Sequence, residues 1–326
     1  MKKEYIVSVD FGGTKILAAL MTMDGEILAK SKVATRLENG KRGLIEGLTE
    51  AIKSVIEQGG MEPKDIKAVS LGVPGSVNPF TGKIGVAPNL NITNYNMKQE
   101  LAKHIDIPIL IENDVNLAAL GIKNFELKGK GKNVLVVFVG TGVGGALIFD
   151  NKLYRGSDFF AGEIGHMVVE KNGPKCGCGN KGCLEAIASR TAIVRDIRKE
   201  LKNKKNSKLL QILPKNKPIK SKGLALAVKK KDPIVIRELT KASNVLGTAL
   251  ANVTNLLNLD MIVLGGGVIE SLAKFMVPIV KESFHKTVLS DAGRGVKIVA
   301  TKLGDDAALY GGIVLAQEME TEKIKN

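Results

Sequence analysis

All three cysteines of the chain, Cys176, Cys178 and Cys183, fall in one short stretch, with His166 shortly before it. One imidazole and three thiolates make a closed tetrahedral donor set for structural zinc. Pro174, Gly177, Gly179 and Gly182 let the loop wrap tightly. The alternative is three free buried thiols. An odd cysteine count and a Cys-x-Cys spacing argue against a disulfide framework. His166 lies in Glu163-Ile164-Gly165-His166, and Glu185 closes the loop as Cys183-Leu184-Glu185. A zinc ion here would tie two carboxylates and an imidazole together. Each carboxylate accepts several hydrogen bonds, which suits sugar hydroxyls. With all four protein positions filled, no site is left for an activated water, so we expect the metal to support recognition rather than chemistry.

Two glycine-rich stretches carry the second kind of chemistry. Asp10-Phe11-Gly12-Gly13-Thr14-Lys15 follows a short apolar run, and Gly140-Thr141-Gly142-Val143-Gly144-Gly145 follows another. Bare glycine backbone lets N–H groups approach phosphate oxygens closely, and the Thr hydroxyl and Lys ammonium add donors. Asp10 at a strand end suits Mg²⁺ held through water. Either stretch alone also reads as an ordinary tight turn. Neither is a Walker A sequence, and a dinucleotide fingerprint fits poorly because a strand rather than a helix follows. A third run, Glu112-Asn113-Asp114, lies just past the strand at 107–111. There Asp114 could accept a hydroxyl proton, or the run could simply cap a helix. In a fourth, Leu264-Gly265-Gly266-Gly267-Val268, a strand enters three glycines, which suits a base or ribose or only a turn.

The elements that must position these residues alternate strand and helix, the pattern of an α/β sheet. Strands are expected at 6–10, 16–21, 26–33, 66–73 and 107–111. Helical spacing of Leu44, Leu48, Ala51, Ile52 and Val55 ends at Gly59-Gly60, and a second helix is expected at 117–125. The pattern then restarts: a strand at 134–139, a glycine-rich turn at 140–145, a returning strand at 146–149 and the turn Asp150-Asn151. Strand, glycine-rich turn, strand, tight turn occurs twice, which implies an internal duplication. Helices dominate beyond Glu185, with a long one at 232–257. Strands are expected at 261–264 and 296–300. A terminal helix at 305–318 carries Ala307, Ala308, Gly311, Gly312 and Ala316, small residues suited to close packing. The expected division is an N-terminal lobe, 1–114, with part of the C-terminal helix 305–326. The second lobe, 115–304, holds the zinc loop 166–183 and a Lys-rich insert 199–231.

Composition narrows the function classes. Hydrophobic residues make up 44% and charged residues 25%, which excludes a fibrous or disordered chain. Aromatics are 4% and Trp is absent, so base-stacking platforms for nucleic acid have little material. The formal net charge is +15, but 199–231 alone holds 12 Lys against Glu200 as its one acid. Such a local run is a solvated surface segment rather than a nucleic-acid site. The apolar stretch 134–149 is short of the ~20 residues that span a bilayer. No secretory signal is read. We expect a cytoplasmic protein with no membrane or nucleic-acid partner, forming a homo-oligomer, a dimer or dimer of dimers.

Taken together these motifs resemble the ROK family of sugar kinases and sugar-responsive repressors. The resemblance covers nearly the whole chain. Its most specific parts are the signature from Gly140 through Gly162-Glu163-Ile164-Gly165-His166 and the block Cys176-Gly177-Cys178-Gly179-Asn180-Lys181-Gly182-Cys183-Leu184-Glu185. It implies an α/β, actin-like, duplicated two-lobe ATPase fold with catalysis in a cleft. It further implies Asp114 as the base for a hexose 6-hydroxyl, and Gly75, Asn89, Asn113, Glu163, His166 and Glu185 as sugar contacts. Asp10, Gly12, Gly13, Thr14, Lys15, Gly140, Thr141 and Gly142 would handle Mg²⁺ and the phosphates of ATP, and Gly266 and Gly267 would lie near the adenosine. The Lys-rich part at 199–222 matches no motif of the family. The repressor branch carries a helix-turn-helix ahead of the kinase-like part, and the first strand here begins near Glu4, which favours the enzyme. The expected activity is ATP-dependent glucose phosphorylation. Fructose, mannose or an N-acetylhexosamine is the substrate alternative, and a non-catalytic sugar-sensing regulator is the other class.

Overall fold

The first three strands form an antiparallel meander: β1 (Tyr5–Phe11), β2 (Lys15–Thr22) and β3 (Ile27–Ala34). β1 and β2 are buried almost throughout and β3 alternates, as a central pair and an edge strand should. The computed structural model describes residues 4–201, 207–209 and 218–325. Helix α1 (Gly40–Gln58) follows, burying Leu44, Leu48, Ala51, Ile52 and Val55, the set its spacing anticipates, against β2 and β3. Then come β4 (Ile66–Val73), a small hairpin sheet of β5 (Val77–Asn78), β6 (Lys83–Ala87) and β7 (Ile92–Asn96), helix α2 (Met97–Ala102), β8 (Ile109–Asn113) and α3 (Asp114–Gly121). The small sheet carries no strong apolar run, and the sequence pattern did not reveal it. The helix expected at 117–125 starts earlier, at Asp114, because the Asn113 side chain caps it, accepting from Val115 N and Asn116 N. It runs into a π turn over Ile122–Glu126.

The second half repeats the first. β9 (Val134–Val139), β10 (Val143–Phe149) and β11 (Lys152–Tyr154) form the next meander. After the loop of 155–184 come α4 (Glu185–Ala188), α5 (Arg190–Leu201), α6 (Ser221–Lys229), α7 (Pro233–Leu257), β12 (Met261–Gly265), α8 (Gly267–Thr287), α9 (Ser290–Gly293), β13 (Lys297–Ala300) and α10 (Ala307–Lys325). The two large sheets have the same order, β3-β2-β1-β4-β8 and β11-β10-β9-β12-β13. In each, the first strand pairs antiparallel with the second and parallel with a later one. The duplication read from the sequence is thus present strand for strand, and the fold is α/β and of the actin-like duplicated type. One correction concerns the second glycine stretch. The turn is only 140–142, because Gly144 and Gly145 pair with Phe138 and Val137 inside β10. A Cβ on Gly145 would lie 2.6 Å from the Gly162 carbonyl oxygen, so that glycine serves close chain packing.

The chain divides into two compact units. Unit 1 comprises 1–130, 153–161 and 305–326; unit 2 comprises 131–152 and 162–304. The boundary falls after Lys130 rather than after Asp114, because α3 packs along α10 and both belong to unit 1. Their contact uses the small residues anticipated. A Cβ on Gly311 would lie 1.8 Å from the Leu117 carbonyl oxygen, and one on Gly121 would lie 2.0 Å from that of Ala307. Each unit has its own aliphatic core, with Phe11 fully buried in unit 1 and Phe284 in unit 2.

Two stretches of the Lys-rich insert, 202–206 and 210–217, lie outside the described residues. The described piece 207–209 is not loose surface. Ser207 and Leu209 are buried, and the Asp232 side chain ahead of α7 accepts hydrogen bonds from Ser207 Oγ at 2.5 Å and Leu209 N at 2.9 Å. Among the described residues no helix is long and apolar enough to cross a membrane.

Candidate functional site

In unit 1 the parallel strands β1, β4 and β8 end together, and their carboxyl ends carry the polar residues, as open α/β sheets arrange them. Asp10 pairs across to Gly72 on β4, and Val73 pairs with Asn113 on β8. Asp10 and Asp114 are brought close enough to repel. Burial, with Asp114 and Asp305 adding and Lys15 opposing, pushes the Asp10 carboxyl up to about 7. Lys15, one strand over, forms an ion pair with Asp305, in the turn before α10. The Gly12–Lys15 turn is tight, with Gly12 N donating to Lys15 O at 2.9 Å. Gly13 makes room for the chain itself: its Cβ would lie 2.6 Å from the Asn89 carbonyl oxygen. The Asn89 turn (Pro88–Leu90) is therefore seated on the first glycine loop, with Asn89 exposed.

Asn113 joins two further residues of the expected set. Its Nδ2 donates to the Gly75 carbonyl oxygen at 3.0 Å, while Oδ1 caps α3. Gly75 has φ +93, and a Cβ there would lie 2.2 Å from the Val86 carbonyl oxygen, so only glycine fits. Beneath them Glu112 is 1% exposed. Its carboxylate accepts from Asn113 N at 2.8 Å, Asn116 Nδ2 at 3.0 Å and Arg155 Nε at 2.6 Å. The helix-cap reading of the Glu112-Asn113-Asp114 run holds through Asn113, and Asp114 is the first residue of α3, near enough to Asp10 to raise its carboxyl.

In unit 2 the four expected zinc donors converge. One ligand atom from each of His166, Cys176, Cys178 and Cys183 lies within 4.8 Å of the others. The Cys176 Sγ to His166 Nδ1 and the Cys178 Sγ to Cys183 Sγ separations are both 3.7 Å. A tetrahedral Zn²⁺ with bonds of about 2.0–2.3 Å has edges of about 3.3–3.8 Å, so the donors present fit that ion. With the protein alone, burial pushes the Cys183 thiol up to about 12, while a hydrogen bond from the Asn180 backbone lowers Cys178. A metal would hold all three as thiolates. His166 turns Nδ1 toward the cysteines and Nε2 toward Glu163, 3.8 Å from Oε2. Burial raises the Glu163 carboxyl above its usual range, with His166 opposing and Glu185 adding.

Glu185 is held differently from Glu163. Its Oε2 accepts from Val143 N at 3.0 Å, and its Oε1 lies 3.8 Å from Cys176 Sγ. It stands between the cysteine cluster and the 140–142 loop. That loop closes on itself, Gly140 N donating to Gly142 O at 2.9 Å, and leaves Thr141 exposed. Gly266, with φ +83, makes room for the Val139 backbone rather than leaving open space, and Gly267 opens α8. Arg190 and Thr191 escaped the sequence reading. Arg190 Nη2 donates to Thr141 Oγ1 at 2.7 Å, and Thr191 Oγ1 donates to Thr141 O at 2.7 Å. The only signal was their place just after the Glu185 block at the start of a helix. Arg155 and Asp305 were missed for a plainer reason: they join the site through long-range ion pairs.

The glucokinase of Halalkalibacterium halodurans is 33% identical over 327 residues, covering 99% of this chain and 98% of its own length. A crystal structure of a ROK family glucokinase from Streptomyces griseus, in complex with glucose and AMPPNP, superposes with a TM-score of 0.85. It is 28% identical and covers 96% of this chain and 99% of that one. The xylose repressor of Bacillus subtilis is also similar, 28% identical over 95% of this chain and 76% of its own. Residues 6–319 match the ROK family as a whole, and the chain belongs to that family.

Proposed function

We propose that the chain is an ATP-dependent hexokinase that phosphorylates the 6-hydroxyl of a hexose, with glucose as its substrate. The observation that carries the reading is the pair of carboxylates at the ends of β1 and β8. Asp10 and Asp114 sit close enough to influence each other's charge, as a metal-side group and a base must in phosphoryl transfer. Asp114 takes the proton from the 6-hydroxyl. Asn113, fixed through Gly75, and Asn89 hold neighbouring hydroxyls. In unit 2, Glu163, His166 and Glu185 are the side chains whose donors and acceptors suit sugar hydroxyls. The crowding of Asp10, Asp114 and Asp305 suits a cation, and Asp10 is the side chain that would hold Mg²⁺. Mg²⁺ supplies neutralisation of the triphosphate charge. Gly12, Thr14, Thr141 and Gly142 bind phosphate oxygens, and Gly266 and Gly267 lie along the adenosine. His166, Cys176, Cys178 and Cys183 hold a structural Zn²⁺, which shapes the sugar contacts and leaves no open coordination position.

The similarity to glucokinases supports glucose over its epimers. The similarity to a xylose repressor favours a second reading, a sugar-binding regulator without turnover. A coupled ADP-release assay over glucose, fructose, mannose, N-acetylglucosamine and xylose separates the two. Turnover with a hexose, highest for glucose, is expected. Sugar binding by calorimetry with no ADP release for any sugar would reject the kinase.

A further inference from the structure

We infer that Arg190 is a binding residue for the phosphoanhydride oxygens of the phosphoryl donor. The inference rests on the reading that the 140–142 loop meets that donor, and adds a cation to it. Three bonds fasten the start of α5 to this loop. Arg190 N donates to Gly140 O at 2.9 Å, Arg190 Nη2 to Thr141 Oγ1 at 2.7 Å, and Thr191 Oγ1 to Thr141 O at 2.7 Å. The guanidinium is thus held beside the loop at both its backbone and its tip.

Its charge has no obvious structural use. Arg36, Arg42, Arg155, Arg195, Arg237 and Arg294 each pair with a carboxylate, and Arg198, which does not, is exposed to solvent, whereas Arg190 is half-buried. Among the described residues Arg190 has no carboxylate within ion-pair distance. Among the described residues its side chain has one partner, a neutral hydroxyl on an exposed residue. A guanidinium offers five N–H donors in a planar fork, and one is used here, which leaves a face matched to two phosphate oxygens. A Cβ on Gly140 would meet nothing within 4 Å, so the loop beside it is open.

The Thr141 bond has a second effect. By accepting from Arg190, Thr141 Oγ1 uses a lone pair, and its own hydrogen is free to point away as a donor. A charged donor also polarises that hydroxyl and strengthens the bond it gives. Arg190 therefore contributes twice, as a cation and by presenting Thr141.

Phosphoanhydride oxygens occur in nucleoside triphosphates and in inorganic polyphosphate, and the test keeps the two apart. Full-length wild type, Arg190→Lys and Arg190→Gln are compared by calorimetry with Mg-ATP, Mg-tripolyphosphate and glucose alone, and by steady-state kinetics. The donor Kd and KM should rise about ten- to hundredfold in Arg190→Gln, the loss of a charge-assisted contact. Arg190→Lys should recover part of this, because it keeps the charge and loses the fork. Glucose Kd and the melting temperature should stay near wild type. The same loss with tripolyphosphate would place Arg190 on the phosphates common to both donors; loss with ATP alone would place it on the nucleotide's phosphates only. Wild type binding Mg-ATP with both variants unchanged would overturn the inference and leave the kinase reading intact. Wild type binding neither donor would overturn both.

Discussion

Glu185 accepts a hydrogen bond from the backbone N–H of Val143 at 3.0 Å, with its other carboxylate oxygen 3.8 Å from Cys176 Sγ. A residue expected from sequence to serve sugar alone is thereby also a support of the glycine-rich 140–142 loop. A Cβ on Gly142 would lie 2.3 Å from Glu185 Oε2, so a larger residue there would have to displace the carboxylate.

This contact changes what loss of the metal should do. Sequence alone suggests that removing zinc raises sugar KM much more than ATP KM. With Glu185 lodged between Cys176 and Val143, Cys178→Ser or chelation should raise both, sugar first because His166 and Glu163 loosen as well. Metal analysis of protein purified without chelator should find one zinc per chain. Chelation that leaves ATP KM untouched would show that Glu185 holds its place without the cluster.

Asp114→Asn should lower kcat by about 10²–10⁴-fold while sugar Kd changes little, since an amide still hydrogen-bonds but takes no proton at neutral pH. Stopped-flow turnover and calorimetry with glucose read the two quantities. A mutant with wild-type kcat would remove Asp114 from the chemistry.

Asp10 carries a stability signature that depends on pH. Its carboxyl is raised from 3.8 to about 7, so the metal-free folded protein binds a proton more tightly than the unfolded chain does. Stability contributed by the protonated form is full below pH ~4 and declines as pH rises toward 7. Asp10→Asn should therefore melt near wild type at pH 4.5 and several degrees higher at pH 8 without Mg²⁺, while losing use of Mg-ATP. Equal melting shifts at both pH values would contradict the buried, repelled carboxyl.

Asp232 is the opposite case. Burial alone would raise its carboxyl, but hydrogen bonds from Ser207, Val235 N, Leu209 N and Ile234 N hold it below the usual value. Its contribution is present above the unfolded pKa and lost as pH falls through the lower folded one. Asp232→Ala should cost about 1–2 kcal/mol at pH 7, from the lost cap of α7. Hydrogen exchange should show 207–209 released together with the first turn of that helix. Denaturant titration at pH 7 showing no loss would reject the anchor.

Gly311→Val should destabilise by about 1–3 kcal/mol through overpacking, because no side chain fits against the Leu117 carbonyl. Since α3 begins at Asp114, kcat should fall along with the melting temperature. A neutral substitution would mean α10 can shift freely along α3.

The order of the elements, and of the residues proposed for the chemistry, was legible in the chain. Two strand-glycine-strand units, one cysteine cluster and one acidic run are local patterns, and hydrophobic periodicity placed nearly every large strand within two residues. The His166-Cys176-Cys178-Cys183 cluster could be read because metal ligation restricts residue type to a few kinds and the chain has cysteine nowhere else. Tertiary structure decided what each glycine is for. Gly13 and Gly266 accommodate Asn89 and Val139, and a bare backbone in sequence gives no sign of whether a ligand or the chain itself will fill the space. It also decided the ion pairs Lys15–Asp305 and Arg155–Glu112, and the place of Arg190 on Thr141. Those partners are far apart along the chain. Long flexible side chains find one another only after the sheets have set the distances, so no local pattern encodes them.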